Sequence, residues 1–436
     1  MIRFTTALFL GAVAALPARA EVDIQSVTSP SGITAWLVEE DALPFVAIEI
    51  AFMGGTSLDA EGRRGAVNLM IGLLEEGSGD LDARGFARAT EALATSFGFS
   101  SNPESLTISA RFLTENFDAS VALLRDAMQS PRFDDADIER VRAQVISGIA
   151  FAAKDPDEIA SRTFAAMAYG THPYGTQESG TPESVAALTR DDLVEAHKNV
   201  LVRDRVLVGA VGDITPDQLG TLVDALLGGL PQSGPMMPPK VEPQIEGGIT
   251  VVEFDTPQSV ALFGQRGIGV QDDDYFAAVL LNQILGGGSF ESRLMQEVRE
   301  KRGLTYGVYS FLSSRDLANA YMGSVSSAND RIAEAITVIR DQWTLAAAEG
   351  VSAEELQNAK TFLTGAYPLR FDGNATIAGI LVGMQMIGLD TEYVNTRNAR
   401  VERVTLEDVQ RVAGELMDPG ALHFVVVGKP TGLAAE

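Results

Sequence analysis

Residues 188–214, LTRDDLVEAHKNVLVRDRVLVGAVGDI, return in altered form at residues 404–430, VTLEDVQRVAGELMDPGALHFVVVGKP. Each stretch opens with a threonine suited to the N-cap of a helix, Thr189 or Thr405. Each then ends an apolar run on a glycine 23 residues after that threonine. The shared spacing predicts a capped helix, a short loop and a strand at the end of each of two related halves.

Earlier segments repeat in the same order. Residues 133–149, FDDADIERVRAQVISGI, resemble residues 350–366, GVSAEELQNAKTFLTGA, and both are typical of capped helices. We therefore predict an α+β protein of two tandem homologous α/β-sandwich halves, each a mostly antiparallel sheet with helices packed on it. The proline- and glycine-rich segment 230–248 predicts a linker between a domain at 21–229 and a second domain at 249–436.

Composition excludes several classes of function. The 436 residues include 59 acidic and 33 basic side chains, giving a net charge of −26. Such an acidic surface argues against nucleic acid and anionic membranes as partners. The chain has no cysteine and only three histidines, His172, His197 and His423, which lie far apart in sequence. An independent transition-metal site is therefore disfavoured, and we expect His172, in the sequence HPYG, to stabilise a turn.

The N-terminus is typical of an export signal. Arg3 precedes the apolar run TTALFLGAVAAL at residues 5–16, and Ala18-Arg19-Ala20 forms a small-x-small cleavage site. We therefore predict a signal peptide over residues 1–20 and a periplasmic location. No later segment is long and apolar enough to span a membrane.

A third segment, LGGGSFESRLMQEVREKRGLTYGVYS at residues 285–310, adds a specific resemblance. Together with the tandem halves and HPYG at 172–175, it resembles the pitrilysin/insulinase family of zinc metallopeptidases, the inverzincins. The resemblance covers essentially the whole chain after the signal peptide. It implies two sandwich halves and, as in two-subunit members, a composite peptide-cleaving site in the chamber between the subunits.

The resemblance also shows what this chain lacks. Active members carry H-x-x-E-H on a helix of the first half, and a glutamate further along completes the zinc ligands. At the matching positions, Asn68 replaces the first histidine, Ile71 the glutamate and Gly72 the second histidine. The downstream glutamate falls at Ser147 or Gly148. The resemblance therefore implies that this chain holds no metal cofactor and is inactive alone.

The residues around Arg299 have a plain interpretation when taken alone. Ser289 is a candidate N-cap, Gly303 is suited to the end of the helix, and residues 304–312 are typical of a strand. Arg299 would then be a surface helix residue and Tyr306 a sheet residue.

The resemblance implies a catalytic role for the same two residues. In the family, an arginine and a tyrosine at these positions face the zinc and donate hydrogen bonds to the oxyanion. Arg299 and Tyr306 would do so for a homologous zinc-binding subunit, in a heterodimer that cleaves peptides or unfolded proteins. Zinc is then expected on that partner. The alternative is a catalytically inactive binding or scaffold protein of the same fold, like the respiratory core proteins.

Overall fold

The computed structural model describes residues 22–433, which form two halves of similar architecture. The first half runs β1 (Gln25–Thr28), β2 (Thr34–Glu39), β3 (Phe45–Met53), α1 (Ala66–Ile71), β4 (Gly77–Ser78), β5 (Leu81–Asp82), α2 (Ala83–Ala92), β6 (Ser96–Ser101), β7 (Ser105–Leu113), α3 (Phe117–Gln129), α4 (Asp135–Ala152), α5 (Pro156–Tyr169), α6 (Pro182–Ala187), α7 (Arg190–Val200), β8 (Val206–Gly212) and α8 (Pro216–Leu227). The second half runs β9 (Gly248–Glu253), β10 (Gln258–Arg266), α9 (Tyr275–Gly286), a π-helical segment (Met295–Glu300), β11 (Val308–Ser314), β12 (Asn319–Ala328), α10 (Ile332–Glu349), α11 (Ala353–Ala366), α12 (Asn374–Met386), α13 (Tyr393–Arg403), α14 (Leu406–Leu416) and β13 (His423–Gly428).

Each half is built on one large sheet. The strand order is β1-β2-β8-β3-β7-β6 in the first half and β11-β12-β10-β13-β9 in the second. All neighbours are antiparallel except β2 with β8 and β13 with β9. Each sheet packs its own helices over a separate apolar core. The predicted fold class, two tandem halves with mostly antiparallel sheets, is confirmed.

The repeated C-terminal segments fold as predicted. Thr189 and Thr405 are both N-caps in capping boxes, in which the side chain of Asp192 or Asp408 accepts from the threonine amide. The apolar runs that follow form β8 and β13, which lie inside their sheets rather than at the edges.

Residues 228–247 contain no helix or strand and join the two halves. This connection is attached to both sides, because Gln244 donates its amide to the Ala168 carbonyl at 2.8 Å and Val241 donates to the Leu317 carbonyl at 2.8 Å. The domain boundaries drawn from the sequence stay a prediction.

The halves exchange one helix each. The stripe Ala160, Phe164 and Ala168 of α5 packs on β10 and β13 of the second sheet, and α12 packs on β3 and β8 of the first. Glycines permit both contacts: a Cβ on Gly264 would lie 2.7 Å from Phe164, and one on Gly209 would lie 2.8 Å from the Ala378 carbonyl oxygen. The edge strands are β1 and β6 in the first sheet and β11 and β9 in the second.

The structure corrects two local expectations around Arg299. Ser289 is not an N-cap, because the helical hydrogen bonds begin three residues later, where the Ser292 carbonyl accepts the Gln296 amide at 3.0 Å. The strand begins only at Val308, so Tyr306 lies in the preceding loop. The cause is Thr305, whose hydroxyl donates to the Ser326 carbonyl at 2.7 Å and accepts from the Gly307 amide.

His197 is a buried histidine of the first core. Its Nε2 lies 2.7 Å from the Met128 carbonyl oxygen, which fixes that nitrogen as the donor in the neutral ring. Burial lowers the pKa of His197 below its ordinary value of 6.5, and the nearby Lys198 lowers this pKa further.

This burial predicts a loss of stability in mild acid. Below about pH 6.5 the unfolded chain binds a proton on this histidine that the folded chain does not, so unfolding takes up a proton. The free energy of unfolding should therefore fall as pH decreases from 7.5 to 5.5. In His197→Gln, which cannot titrate, the decrease in Tm over this range should be smaller. An equal decrease in both proteins would show that other groups cause it.

Candidate functional site

The helix that would carry the zinc motif is short and firmly held. Asp59 accepts the amides of Gly65 and Val67, each at 2.8 Å, and so caps α1. Arg64 binds Asp59 and three main-chain carbonyls of the surrounding loops. Helix α1 is thus held in position by side-chain hydrogen bonds from Asp59 and Arg64.

The predicted zinc-motif positions lie on two helices, α1 and α4. Asn68 and Ile71 are on α1, and Gly72 caps its end, where a Cβ would lie 3.0 Å from Val141 of α4. Gly148 is two helical turns beyond Val141 and therefore on the same face of α4. The end of α1 thus packs against α4, and the assignment of these positions to a zinc motif stays a prediction.

The residues at these positions do not fit zinc. Isoleucine and glycine have no lone pair to donate, and Ile71 is packed into the core. Across residues 22–433, no three side chains of histidine, cysteine, aspartate or glutamate are arranged to hold a metal ion. The chain also supplies no carboxylate at position 71 to act as the general base for a bound water.

Arg299 and Tyr306 flank the loop before β11. The guanidinium of Arg299 lies 4.8 Å from the centre of the Phe290 ring, and its Nε is 3.2 Å from the Glu300 carboxylate. Tyr306 is 87% exposed. No hydrogen bond joins these two side chains in the part of the chain that the structure describes, and the Arg299 side chain is 33% exposed.

Arg299 occupies an unusual stretch of helix. The Lys301 amide bonds to the Gln296 carbonyl, five residues back, and the Leu304 amide to the Val298 carbonyl, six residues back. Such wide turns are uncommon and often occur at functional sites. Arg299 therefore lies in a π-helical turn, which is an uncommon backbone conformation.

A cavity of about 590 Å³ lies between the two halves, beside Gly148. Its walls come from α4, α5 and residues 169–179 of the first half, and from β10, β11 and β12 of the second. Arg299 and Tyr306 are not among its lining residues. The cavity therefore adjoins α4, the helix that carries Gly148, whereas Arg299 and Tyr306 lie outside it.

Sequence reasoning missed the aromatic residues of this region. Tyr309 and Phe311 of β11 are stacked with ring centres 6.2 Å apart, and both are exposed on one face of the strand. Alternation of aromatic and small residues in VYSFLSS could have identified that face. His172 stabilises its turn as expected: its Nδ1 accepts the Tyr174 amide, and its Nε2 lies 3.0 Å from the Pro239 carbonyl oxygen.

Comparisons with known proteins agree with this geometry. The model of the insulinase (peptidase M16) family matches residues 36–181, and that of the peptidase M16 inactive domain matches residues 187–363. The non-peptidase homolog YmxG of Helicobacter pylori is 27% identical over 394 residues, covering 89% of this chain and 90% of the relative. An uncharacterized zinc protease of Mycobacterium leprae is 28% identical over 360 residues, covering 81% and 80%. The crystal structure of a peptidase M16 inactive domain from Pseudomonas fluorescens superposes with a TM-score of 0.87 at 27% identity, covering 95% of this chain and 99% of that one.

Proposed function

The chain belongs to the insulinase (M16) peptidase family, and we propose that it is the zinc-free subunit of a two-subunit peptidase in the periplasm. One observation carries this proposal. Positions 68, 71, 72 and 148 have lost every group that could bind zinc or activate water, whereas Arg299 and Tyr306 are retained with accessible side chains. The groups that would bind zinc and activate water are thus absent, whereas the groups that would stabilise the oxyanion remain.

The two retained groups suit the stabilisation of an oxyanion. When water attacks a peptide carbonyl, its oxygen becomes negatively charged, and hydrogen-bond donors directed at it lower the barrier. The Tyr306 phenol and the Arg299 guanidinium both donate. The zinc, its bound water and the general base would belong to a homologous partner subunit.

Two further features support the location and the substrate. The predicted signal peptide, residues 1–20, lies outside the described residues, so export remains a proposal from sequence. No described helix is long and apolar enough to cross a membrane.

The open edge of β6, whose outer side is free for strand addition, would let an extended peptide bind through its main chain.

The test is reconstitution. This chain, an exported relative that carries H-x-x-E-H, and an equimolar mixture of the two are each assayed with fluorogenic peptides, with and without a chelator. We expect activity in the mixture that far exceeds either subunit alone and that the chelator abolishes. Chelator-sensitive activity from this chain alone would overturn the proposal.

A second candidate is an inactive scaffold or binding protein. It is favoured by the environment of Arg299, whose guanidinium already contacts Phe290 and Glu300. The Helicobacter pylori relative is itself named a non-peptidase homolog. A stable complex with the zinc-motif relative, in which peptide cleavage is no faster than by that relative alone, would establish this reading.

A further inference from the structure

We infer that the cavity between the two halves receives one large apolar side chain of an extended peptide. This inference rests on the proposed function, because it names the class of substrate that the chain holds. The cavity measures about 590 Å³, within the roughly 300–1,000 Å³ typical of ligand pockets. It is lined by α4, the helix that carries Gly148.

The floor of the cavity is apolar and partly uncovered. Leu262, Met322 and Phe311 come from the neighbouring strands β10, β12 and β11. Met322 is directly opposite Phe311 in the antiparallel register, so their side chains share one face of the sheet. Helix α5 covers β10 and β13 but not β11, which leaves Phe311 38% exposed. This surface gains by burying another apolar group.

The rim of the cavity suits a peptide rather than a simple hydrocarbon. Two acidic and two basic residues line it: Glu158, Arg162, Glu178 and Arg315. The two positive and two negative charges balance, so the rim does not repel a peptide of either net charge. The same side chains offer hydrogen-bond donors and acceptors to the polar main chain of a peptide. The open edge of β11, the strand that carries Phe311, has room for an extended segment.

The substitution at Gly148 enlarges this space. A Cβ built on Gly148 meets no atom within 4 Å. In zinc-binding relatives the matching region carries a glutamate, whereas here the site of that side chain is open and adjoins the apolar residues Ile149 and Ala152. Loss of the ligand thus leaves room that an apolar substrate side chain can fill.

The same glycine provides the test. Gly148→Trp should fill the cavity without disturbing the core, because the new side chain enters open space. Gly365→Trp is the matched control, since Gly365 is also an exposed helical glycine whose Cβ meets nothing within 4 Å. Binding is measured by fluorescence anisotropy on the full chain alone, with labelled ten-residue peptides of Gly, Ser and Ala that carry Phe, Leu, Ala or Asp at one central position.

We expect the Phe and Leu peptides to bind at least about tenfold more tightly than the Ala and Asp peptides, from the area that such side chains bury. Gly148→Trp should abolish this preference and Gly365→Trp should retain it. Equal affinity for all four peptides, no binding at all, or a preference unchanged in Gly148→Trp would each overturn the inference. The assay involves neither a partner nor turnover, so a failed reconstitution leaves its result intact and the two proposals fail separately.

Discussion

Tyr306→Phe should lower the kcat of the reconstituted two-subunit peptidase about 100-fold, the effect of removing one oxyanion donor. The substitution removes only the phenolic hydroxyl. Because the side chain is 87% exposed, neither the fold nor the Tm should change. The hydroxyl acts on charge that develops in the transition state, so kcat should fall while KM stays nearly constant. Steady-state kinetics on a fluorogenic peptide measure both constants.

Arg299→Ala should produce a loss of similar size in the same assay. Two neighbouring substitutions serve as controls. Tyr309→Phe removes the hydroxyl of another exposed tyrosine, on β11, and Arg302→Ala removes a basic group that pairs with Glu297 at 2.6 Å. Both controls should retain wild-type kcat. Subunit assembly, followed by size-exclusion chromatography, should be unchanged in all four variants.

Full activity in both Tyr306→Phe and Arg299→Ala would contradict the shared-site mechanism. A fall in the Arg302→Ala control equal to that in Arg299→Ala would instead indicate a general effect of positive charge. Only loss confined to Arg299 and Tyr306 supports the direct donation of hydrogen bonds to the reacting carbonyl.

Short-range patterns in the sequence were sufficient to predict the architecture of two related halves. The capping threonines Thr189 and Thr405 bond to side chains three residues away, so they are recognisable without knowledge of the fold. The glycine-terminated strands β8 and β13 follow at the same spacing in each half. The family matches likewise confirm the resemblance that rested on residues 285–310.

Contacts between segments far apart in the sequence could not be predicted from such patterns. The stripe Ala160, Phe164 and Ala168 shows that α5 has a buried face, but periodicity does not tell which sheet covers it. The cavity depends on that exchange and was therefore not predicted. Tyr306 was assigned to a strand because its neighbours have high β propensity, yet the hydroxyl of Thr305 takes over the hydrogen bonds of that backbone.

The second large expected effect concerns stability rather than catalysis. Arg64→Ala should lower the free energy of unfolding by about 3 kcal/mol, the range for breaking a buried ion pair. The Arg64 guanidinium donates to the carbonyls of Thr56, Gln177 and Pro173, and its Nη1 lies 3.3 Å from the Asp59 carboxylate. Removing it leaves that buried carboxylate with only two main-chain donors and removes one donor from each of the three carbonyls.

The preceding residue provides the control. Arg63 pairs with Asp192 at 2.6 Å but is 47% exposed, so Arg63→Ala removes the same charge from a solvated pair and should cost less than about 1 kcal/mol. For the 3 kcal/mol loss, Tm should fall by roughly 6–12 °C, as expected for a unit of about 200 residues. Differential scanning calorimetry measures both variants. Equal Tm values would mean that net charge, rather than the bonds of Arg64, stabilises the loops around α1. A large difference would show that the bonds of Arg64 hold the loops around α1 in place.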